Sequence, residues 1–280
     1  YIDKILTTPY KINEEFDILY NFDIEEEAIK LAKQIPADKK YGFYLNDGGY
    51  PAAFNLSAEY YLNTLFDDSF KKENKKTYQE MMFKAAELSW KKQHYPLNLN
   101  EEGKKYAESF VRENNIKTEK LIGMHIGASS RWPSKCWSEE KIKEFIRKAK
   151  EKNYEILLFA GVNEKKKQEK IAEELKKINI NVYKNNPDNS DIEFASLVNI
   201  CKAIICSDSY ILHLSLALKK PSIGLFFCTS PYEVEDYNLL KKIVSPMLYD
   251  FFPEKQDEYS EELINSISAE QVLKVLESIY

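Results

Sequence analysis

The second half of the chain alternates continuous apolar runs with segments that are apolar on one helical face only. The continuous runs are typical of strands buried on both sides, and they occupy residues 121–127 (LIGMHIG), 154–161 (YEILLFAG), 203–207 and 222–227. Between the first two runs, apolar residues recur at helical spacing from Ile142 to Ala149, in a segment that begins at Ser138. Strands that alternate with helices of this length predict βαβ units and a parallel sheet.

The first part of the chain shows the same alternation in shorter, more aromatic segments. We predict strands at residues 16–22 and 41–45, and helices at residues 24–34, 57–66 and 77–90. Residues 95–100 (YPLNLN) follow no period, contain a proline and are typical of a linker between domains. The sequence therefore predicts two domains, residues 1–98 and residues 99–280.

Composition narrows the function classes. Among 280 residues, 40 are Lys or Arg and 45 are Asp or Glu, so the net charge is −5 at pH 7. A nucleic-acid groove requires a concentrated positive excess, which this sequence lacks. No apolar run approaches the ~18–20 residues that a membrane-spanning helix needs. The four cysteines form no Cys-x-x-Cys pair, which favours a reducing, cytoplasmic setting and argues against a metal site.

The glycines exclude several enzyme classes. Only eight glycines occur, and their spacing gives neither the G-x-G-x-x-G fingerprint of dinucleotide-binding enzymes nor a P-loop. The sequence also lacks a G-x-S-x-G nucleophile elbow and an HExxH zinc motif. The sequence feature that still points to a function is a set of polar residues directly after predicted parallel strands. Open α/β sheets bind their ligands at these carboxyl ends of the strands.

Serine, arginine and lysine side chains follow the first predicted strand of the second half. The loop at residues 127–137 (GASSRWPSKCW) supplies the candidate ligands Ser129, Ser130, Arg131 and Lys135. Hydroxyls, a planar guanidinium and an ammonium on a glycine-containing loop suit a diphosphate. The alternative is a capped surface loop whose tryptophans pack down onto the core.

Two further polar clusters follow later strands. Glu164 can accept hydrogen bonds from a ribose or serve as a first-turn helix acid. Asp208 and Ser209 begin a helix in which His213 lies one turn further on. Such a helix start favours an anion, although Asp208 and Ser209 can also be plain N-caps and His213 a core residue. Because each cluster follows a parallel strand, we expect all three to open onto one crevice.

A family signature is carried by three stretches, GASSRWPSKCWS, YEILLFAG with the following Glu164, and SDSYILHLSLALKKPSIGLF. Together they resemble glycosyltransferase family 9, the ADP-heptose:lipopolysaccharide heptosyltransferases, over residues 121–280. The resemblance implies a GT-B fold, an α/β class in which two Rossmann-like domains face each other across a cleft. Residues 1–98 would be an incomplete acceptor-side domain, and residues 99–280 the nucleotide-sugar-binding domain.

The resemblance also implies roles for residues that bind the donor, ADP-heptose. Lys135 would hold the donor phosphate and Glu164 the ribose, while the segment around Asn189 would border the adenine. The other hydroxyl and guanidinium groups of the first loop would join this donor-binding set.

A second group of residues is implied at the sugar and the diphosphate. Asp208 would contact the sugar, and the backbone N–H groups of Ser209 and Tyr210 would contact the diphosphate. His213 would support that loop from the next helical turn.

The reaction that the resemblance implies inverts the anomeric carbon and uses neither a metal nor another cofactor. A carboxylate base deprotonates the acceptor hydroxyl, and fixed positive groups stabilise the leaving ADP. We therefore expect a bacterial, cytoplasmic enzyme that extends a glycan or glycolipid acceptor such as lipopolysaccharide core. Peripheral contact with the inner membrane is compatible with that expectation.

The sequence departs from the family pattern at two places. Ser209 and Tyr210 stand where the family usually has Thr-Gly, and a tyrosine ring would crowd a diphosphate that approaches closely. The family's base is an aspartate in a Gly-Asp context after the first strand, and this motif does not occur here. The base is therefore expected upstream of residue 1; Asp47, in the NDGG turn, is either a stand-in or a plain turn residue.

Two other functions remain open on the same fold. A sugar-nucleotide epimerase would use the donor site without an acceptor. A non-catalytic binding or scaffold protein would agree with Tyr210 and with the missing base motif.

Overall fold

The computed structural model describes residues 2–7, 14–129 and 131–279, and the chain forms two compact units. Unit 1 comprises Tyr1–Lys91 with Tyr232–Glu235, and unit 2 comprises Lys92–Pro231 with Asp236–Tyr280. The short later segment belongs to unit 1 because the backbone N–H of Tyr78 donates to the carbonyl oxygen of Glu233 at 2.8 Å.

The division between the units lies after Lys91, whereas the sequence-based boundary lies after residue 98. The residues in between pack against unit 2. The ring of His94 stacks on that of Tyr237 with a centroid separation of 4.3 Å, and the Tyr237 hydroxyl donates to the carbonyl oxygen of Gln93 at 3.3 Å. Because Tyr237 belongs to unit 2, these contacts draw the start of the linker into that unit.

Unit 1 contains, in its described residues, a small mixed sheet with helices. The strands are β1 (Phe16–Asn21), β2 (Ala37–Leu45) and β3 (Pro51–Ala53). The helices are α1 (Glu26–Gln34), α2 (Leu56–Phe66), α3 (Asp68–Glu73) and α4 (Tyr78–Ala85). Strand β2 is central, with β1 parallel and β3 antiparallel to it. A small apolar cluster fills this unit and consists of Ile29, Phe43, Ala58, Leu62 and Ala85.

Two backbone features fix local structure in unit 1. Gly42 in β2 has a φ of +93°, and a Cβ there would run into the carbonyl oxygen of Asn21 in β1. Glycine therefore allows the strands to approach each other. Helix α4 follows Thr77, whose hydroxyl accepts from the N–H of Glu80 at 3.2 Å. The prediction that this helix reaches residue 90 was wrong: it ends at Ala85, because Glu87 adopts a φ of 55°.

Unit 2 is built on a six-stranded sheet in which all pairs are parallel. Its strands are β4 (Leu121–His125), β5 (Glu155–Phe159), β6 (Tyr183–Lys184), β7 (Ala203–Ser207), β8 (Ser222–Phe226) and β9 (Leu240–Val244). The spatial order is β6-β5-β4-β7-β8-β9. The chain thus runs outward from β4 in one direction and then from β7 in the other. The point where this direction reverses lies between β4 and β7, and doubly wound sheets bind their ligands at such a point.

Helices connect the strands of unit 2. They are α5 (Glu101–Glu113), α6 (Glu139–Glu151), α7 (Lys165–Lys176), α8 (Asp191–Ile200), α9 (Tyr210–Ala217), α10 (Leu248–Phe251), α11 (Glu261–Asn265) and α12 (Ala269–Glu277). Serine hydroxyls cap the N-termini of several of these helices. Ser190 forms a capping box, because its hydroxyl accepts from the N–H of Glu193 and the Glu193 carboxylate accepts from the N–H of Ser190.

The main core of unit 2 lies between the sheet and its helices. Strands β7 and β8 are buried at every position, as their continuous apolar runs predict. Phe145, Ile146 and Ala149 of α6 are fully buried in the same core. Among the described residues, no helix combines the length and the apolar character that crossing a membrane requires.

Candidate functional site

The loops after β4 and β7 meet beside the reversal point of the sheet in unit 2. The ammonium of Lys135, in the first loop, lies 3.5 Å from a carboxylate oxygen of Asp208, in the second. The other carboxylate oxygen of Asp208 lies 3.8 Å from Nε2 of His213 in α9. The structure therefore brings the first and third polar clusters of the sequence together at one edge of the sheet.

Lys135 is unusually buried for a lysine, since only 8% of the residue is exposed. Its ammonium lies 4.6 Å from the ring centroid of Trp132, and its backbone N–H donates to the carbonyl oxygen of Trp132 at 3.1 Å. Trp137, two residues further on, is buried and donates its indole N–H to Ile267 at 2.9 Å. The tryptophans of the loop thus pack down, and its lysine lies beside Asp208; that the loop binds a diphosphate stays a prediction.

The tip of the same loop is more open. Ser129 and Arg131 are exposed, and the Arg131 guanidinium lies 5.2 Å from the ring of Trp132. The carbonyl oxygen of Ser129 accepts from the N–H of Trp132 at 3.0 Å. Ser130 lies outside the described residues. The structure therefore places one arginine fork and one hydroxyl at the rim of the loop.

The turn after β7 leaves the start of α9 without a side-chain cap. Ser209 is the N-cap residue, but its hydroxyl donates back to the carbonyl oxygen of Ser207 at 3.1 Å and does not cap the helix. The first N–H groups of a helix carry about half a positive elementary charge in total. This charge and the Lys135 ammonium flank Asp208, so the corner can attract an anion.

His213 completes the corner as a neutral imidazole. Burial lowers its pKa from the ordinary value, and the nearby Lys135 charge lowers the pKa further, while Asp208 opposes both effects. A neutral imidazole can donate one hydrogen bond toward the Asp208 carboxylate without adding charge. It lies one turn into α9, and its supporting role stays a prediction.

Glu164 reaches the loop after β4 from the neighbouring strand end. One of its carboxylate oxygens accepts from the N–H of Gly161 at 3.0 Å. The same carboxylate lies against Gly127, where a Cβ would stand 2.6 Å from Cδ of Glu164. Only a glycine leaves room for this side chain while it keeps its hydrogen bond to Gly161. The second polar cluster therefore touches the first, as the strand order predicts.

Asn189 precedes α8 and is tied to α5. Its amide nitrogen donates to the hydroxyl of Tyr106 at 2.7 Å and to the Glu193 carboxylate at 3.3 Å. Its amide oxygen is buried without a partner among the described residues. These hydrogen bonds go to none of the other candidate residues, so the structure fixes Asn189 locally and leaves its predicted role a prediction.

The sequence analysis missed groups that follow β8. Burial raises the pKa of the Cys228 thiol to about 11, and the charges of Lys135 and Asp208 both act on it. Thr229 is buried, and its hydroxyl has no partner among the described residues. The same holds for Ser207, which is the last residue of the neighbouring strand β7. The signal that could have found them is the strand-end rule itself, since β8 is a further parallel strand that ends at this edge.

Asp47 belongs to unit 1, where it lies in the turn after β2. Its carboxylate accepts from the ammonium of Lys33 at 2.6 Å, and this hydrogen bond lowers the pKa of Asp47. A carboxylate that holds its proton more weakly is a poorer general base. These contacts favour a plain turn residue over a stand-in for the base.

The decisive comparison is with protein families. Residues 53–264, which are most of the chain, match the model of glycosyltransferase family 9 (heptosyltransferase). The chain belongs to glycosyltransferase family 9. The predicted family and the predicted GT-B class of α/β fold are confirmed.

Solved structures of family 9 proteins have the same fold. A glycosyl transferase family 9 protein from Veillonella parvula superposes with a TM-score of 0.69 at 18% identity, over 94% of this chain and 73% of that one. The ADP-heptose lipopolysaccharide heptosyltransferase II of E. coli superposes with a TM-score of 0.56 at 21% identity, over 71% of this chain and 57% of that one. This chain thus spans little more than half of the E. coli enzyme. No curated protein sequence matches it.

Proposed function

We propose that this family 9 protein is an inverting glycosyltransferase that moves heptose from ADP-heptose onto a cell-envelope glycan or glycolipid, such as lipopolysaccharide core. The observation that carries the proposal is the corner at the reversal point of the sheet in unit 2. There the Lys135 ammonium lies 3.5 Å from Asp208, beside the uncapped start of α9. A lysine ammonium and the start of a helix thus both lie next to Asp208, and each of them favours an anion such as the diphosphate of a sugar nucleotide.

The proposed chemistry follows from the charge that develops on the leaving group. When the bond between the sugar and the diphosphate breaks, negative charge grows on the diphosphate. Lys135 and the N–H groups of Ser209 and Tyr210 would stabilise that charge without moving, because they are already fixed by burial and by the helix. Glu164 would accept hydrogen bonds from the ribose hydroxyls.

Asp208 has a second task in this proposal. Its carboxylate lies 3.5 Å from the Lys135 ammonium, which is longer than a good hydrogen bond. A diphosphate would compete for the ammonium and release the Asp208 carboxylate, which would then accept hydrogen bonds from the sugar hydroxyls. The neutral His213 would keep that carboxylate in place.

Isothermal titration with ADP and with ADP-heptose tests the donor site. We expect both to bind, and Lys135→Met to weaken ADP about tenfold to a hundredfold, since a hydrogen bond to a charged group is lost. Lys148→Met is the matched control, because Lys148 is a more exposed lysine of the same unit that pairs with Glu270. No detectable heat with millimolar ADP, or equal affinities for the two variants, would count against the donor site.

Product analysis tests the reaction. A transferase consumes ADP-heptose only when an acceptor is present, and metal independence predicts that the rate survives an excess of EDTA. An epimerase releases a new sugar nucleotide without acceptor. A non-catalytic binding protein, which the Tyr210 ring favours, binds ADP and gives no product. The expected peripheral contact with the inner membrane finds no support among the described residues.

A further inference from the structure

Three aromatic rings form a row at the carboxyl edge of the sheet in unit 2. Phe159, at the end of β5, is fully buried, and its ring centroid lies 5.1 Å from that of Phe194 in α8. The Phe194 ring lies 6.3 Å from that of Tyr210, with 36° between the two planes. The row thus runs from the core outward and ends at the first residue of α9.

Tyr210 itself is packed on one side only. The residue is 60% exposed, whereas Ile211 and Leu212, which follow it in α9, are buried. No hydrogen bond of its hydroxyl occurs among the described residues. One side of the ring therefore rests on Phe194, and much of the remaining surface is open to solvent.

The direction of the ring is set by α8. Besides the Phe194 contact, the charge of Asp191, at the start of α8, acts on the Tyr210 hydroxyl. The ring therefore leans from the start of α9 toward the first turn of α8, which follows β6, on the side of the sheet where β5 and Glu164 lie. A nucleotide whose diphosphate sits at Ser209 and whose ribose sits at Glu164 extends along the same side.

We propose that the side chain of Tyr210 is a further donor-binding group, whose ring stacks on the nucleobase of the sugar-nucleotide donor. This inference rests on the proposed function, because it requires a nucleotide in the corner beside Lys135. Every nucleobase has a planar face that stacks on an aromatic ring, and the contact needs no hydrogen-bond match. The backbone N–H of Tyr210 remains free for the diphosphate. The side chain that departs from the family pattern thus adds a contact to the base.

Two substitutions test the stacking, because they distinguish the effect of the aromatic ring from that of the hydroxyl and from that of an apolar side chain in general. Tyr210→Phe keeps the ring, and Tyr210→Leu keeps an apolar side chain without one. We expect Tyr210→Phe to bind ADP as the wild type does and Tyr210→Leu to bind it about five- to a hundredfold more weakly. Inorganic pyrophosphate, which has no base, should bind all three proteins equally. Tyr249→Leu, at another exposed tyrosine of the same unit, should leave ADP binding unchanged.

A spectroscopic readout reports the contact directly. The H2 and H8 protons of adenine should move upfield when ADP binds to the wild type or to Tyr210→Phe, because they enter the shielding region of the ring. With Tyr210→Leu this upfield shift should disappear at saturating ADP.

The outcomes separate this inference from the function on which it rests. If ADP binds through Lys135 but Tyr210→Leu binds it as well as, or better than, the wild type, the stacking is overturned and the donor site stands. An equal loss for ADP and pyrophosphate also overturns the stacking, since it would show an effect on the diphosphate. If the wild-type protein does not bind ADP, the donor site and the stacking fall together.

Discussion

Strands in the two units have very different surroundings. In unit 2, every residue of β7 and β8 is buried, because neighbouring strands and covering helices enclose them. In unit 1, one row of β1 side chains, Phe16, Ile18 and Tyr20, is between 37% and 46% exposed. Parallel strands are ordinarily covered on both faces. The contrast leads us to expect that strands of the two units contribute unequally to stability.

Two isoleucines, one in each unit, should show the largest difference in the free energy of unfolding. Ile205 in β7 is fully buried, and Ile18 in β1 is 46% exposed. We expect Ile205→Ala to lower the free energy of unfolding by about 3 to 4 kcal/mol, since it leaves a cavity, and Ile18→Ala by less than about 1 kcal/mol. Urea denaturation measures both. Similar losses for the two variants would mean that the exposed row of β1 is covered in solution.

The second test concerns a histidine at the end of β4. Burial and the Lys167 charge lower the pKa of His125 to about 4, whereas it is about 6.5 in an unfolded chain. As the pH falls, His125 is therefore protonated in the unfolded chain before it is protonated in the folded protein. The contribution of the neutral His125 to the free energy of unfolding is complete above pH 6.5 and declines as the pH falls toward 4. The decline is on the order of 2 to 3 kcal/mol.

His125→Gln should remove that part of the pH dependence. Thermal melts of both proteins between pH 7 and pH 4.5 would show it, and the difference between the two profiles isolates His125 from the carboxylates. Parallel profiles would show that the imidazole is protonated as easily in the folded protein as in the unfolded one. Unit 1 offers an exposed counterpart, the Asp47–Lys33 pair, and Asp47→Asn should leave the profile unchanged.

Helix caps give the smallest expected difference between the units. The Thr77 hydroxyl in unit 1 accepts from the N–H of Glu80, and no second hydrogen bond of it occurs in the part of the chain that the structure describes. The Ser138 hydroxyl in unit 2 accepts from the N–H of Lys141 and also donates to the Asn265 side chain at 2.6 Å. We expect Thr77→Ala to cost about 1 kcal/mol and Ser138→Ala about 2 kcal/mol. The same urea titrations resolve this difference. A larger loss at Thr77 would contradict the view that unit 2 is held by more contacts at each position.

The fold of unit 2 could be predicted because its signals are long and unmixed. Runs such as LIGMHIG and YEILLFAG fix β4 and β5, and helix α6 shows its apolar stripe. Strand β6 has only two residues, and β9 (LKKIV) is short and contains two adjacent lysines, so neither carries a signal above that of a loop. In unit 1, β3 and α3 were missed for the same reason of length.

The location of the candidate site could be predicted from the sequence, because its residues follow the ends of predicted parallel strands. The approach of Lys135 to Asp208 follows from the strand order, because β4 and β7 are neighbours. What could not be predicted depends on side-chain direction. Asn189 turns toward Tyr106, and Tyr210 leans on Phe194; both choices are made by residues distant in the sequence, which no local period reveals.

The contact between Gly127 and Glu164 has a consequence for how this protein can change. A methyl group at the first position would require the Glu164 side chain to shift from its place beside Gly161, so we expect substitutions at the two positions to be coupled. A larger residue at 127 should therefore be tolerated better when a shorter one stands at 164. Anyone who transplants this loop to another scaffold must move both residues together.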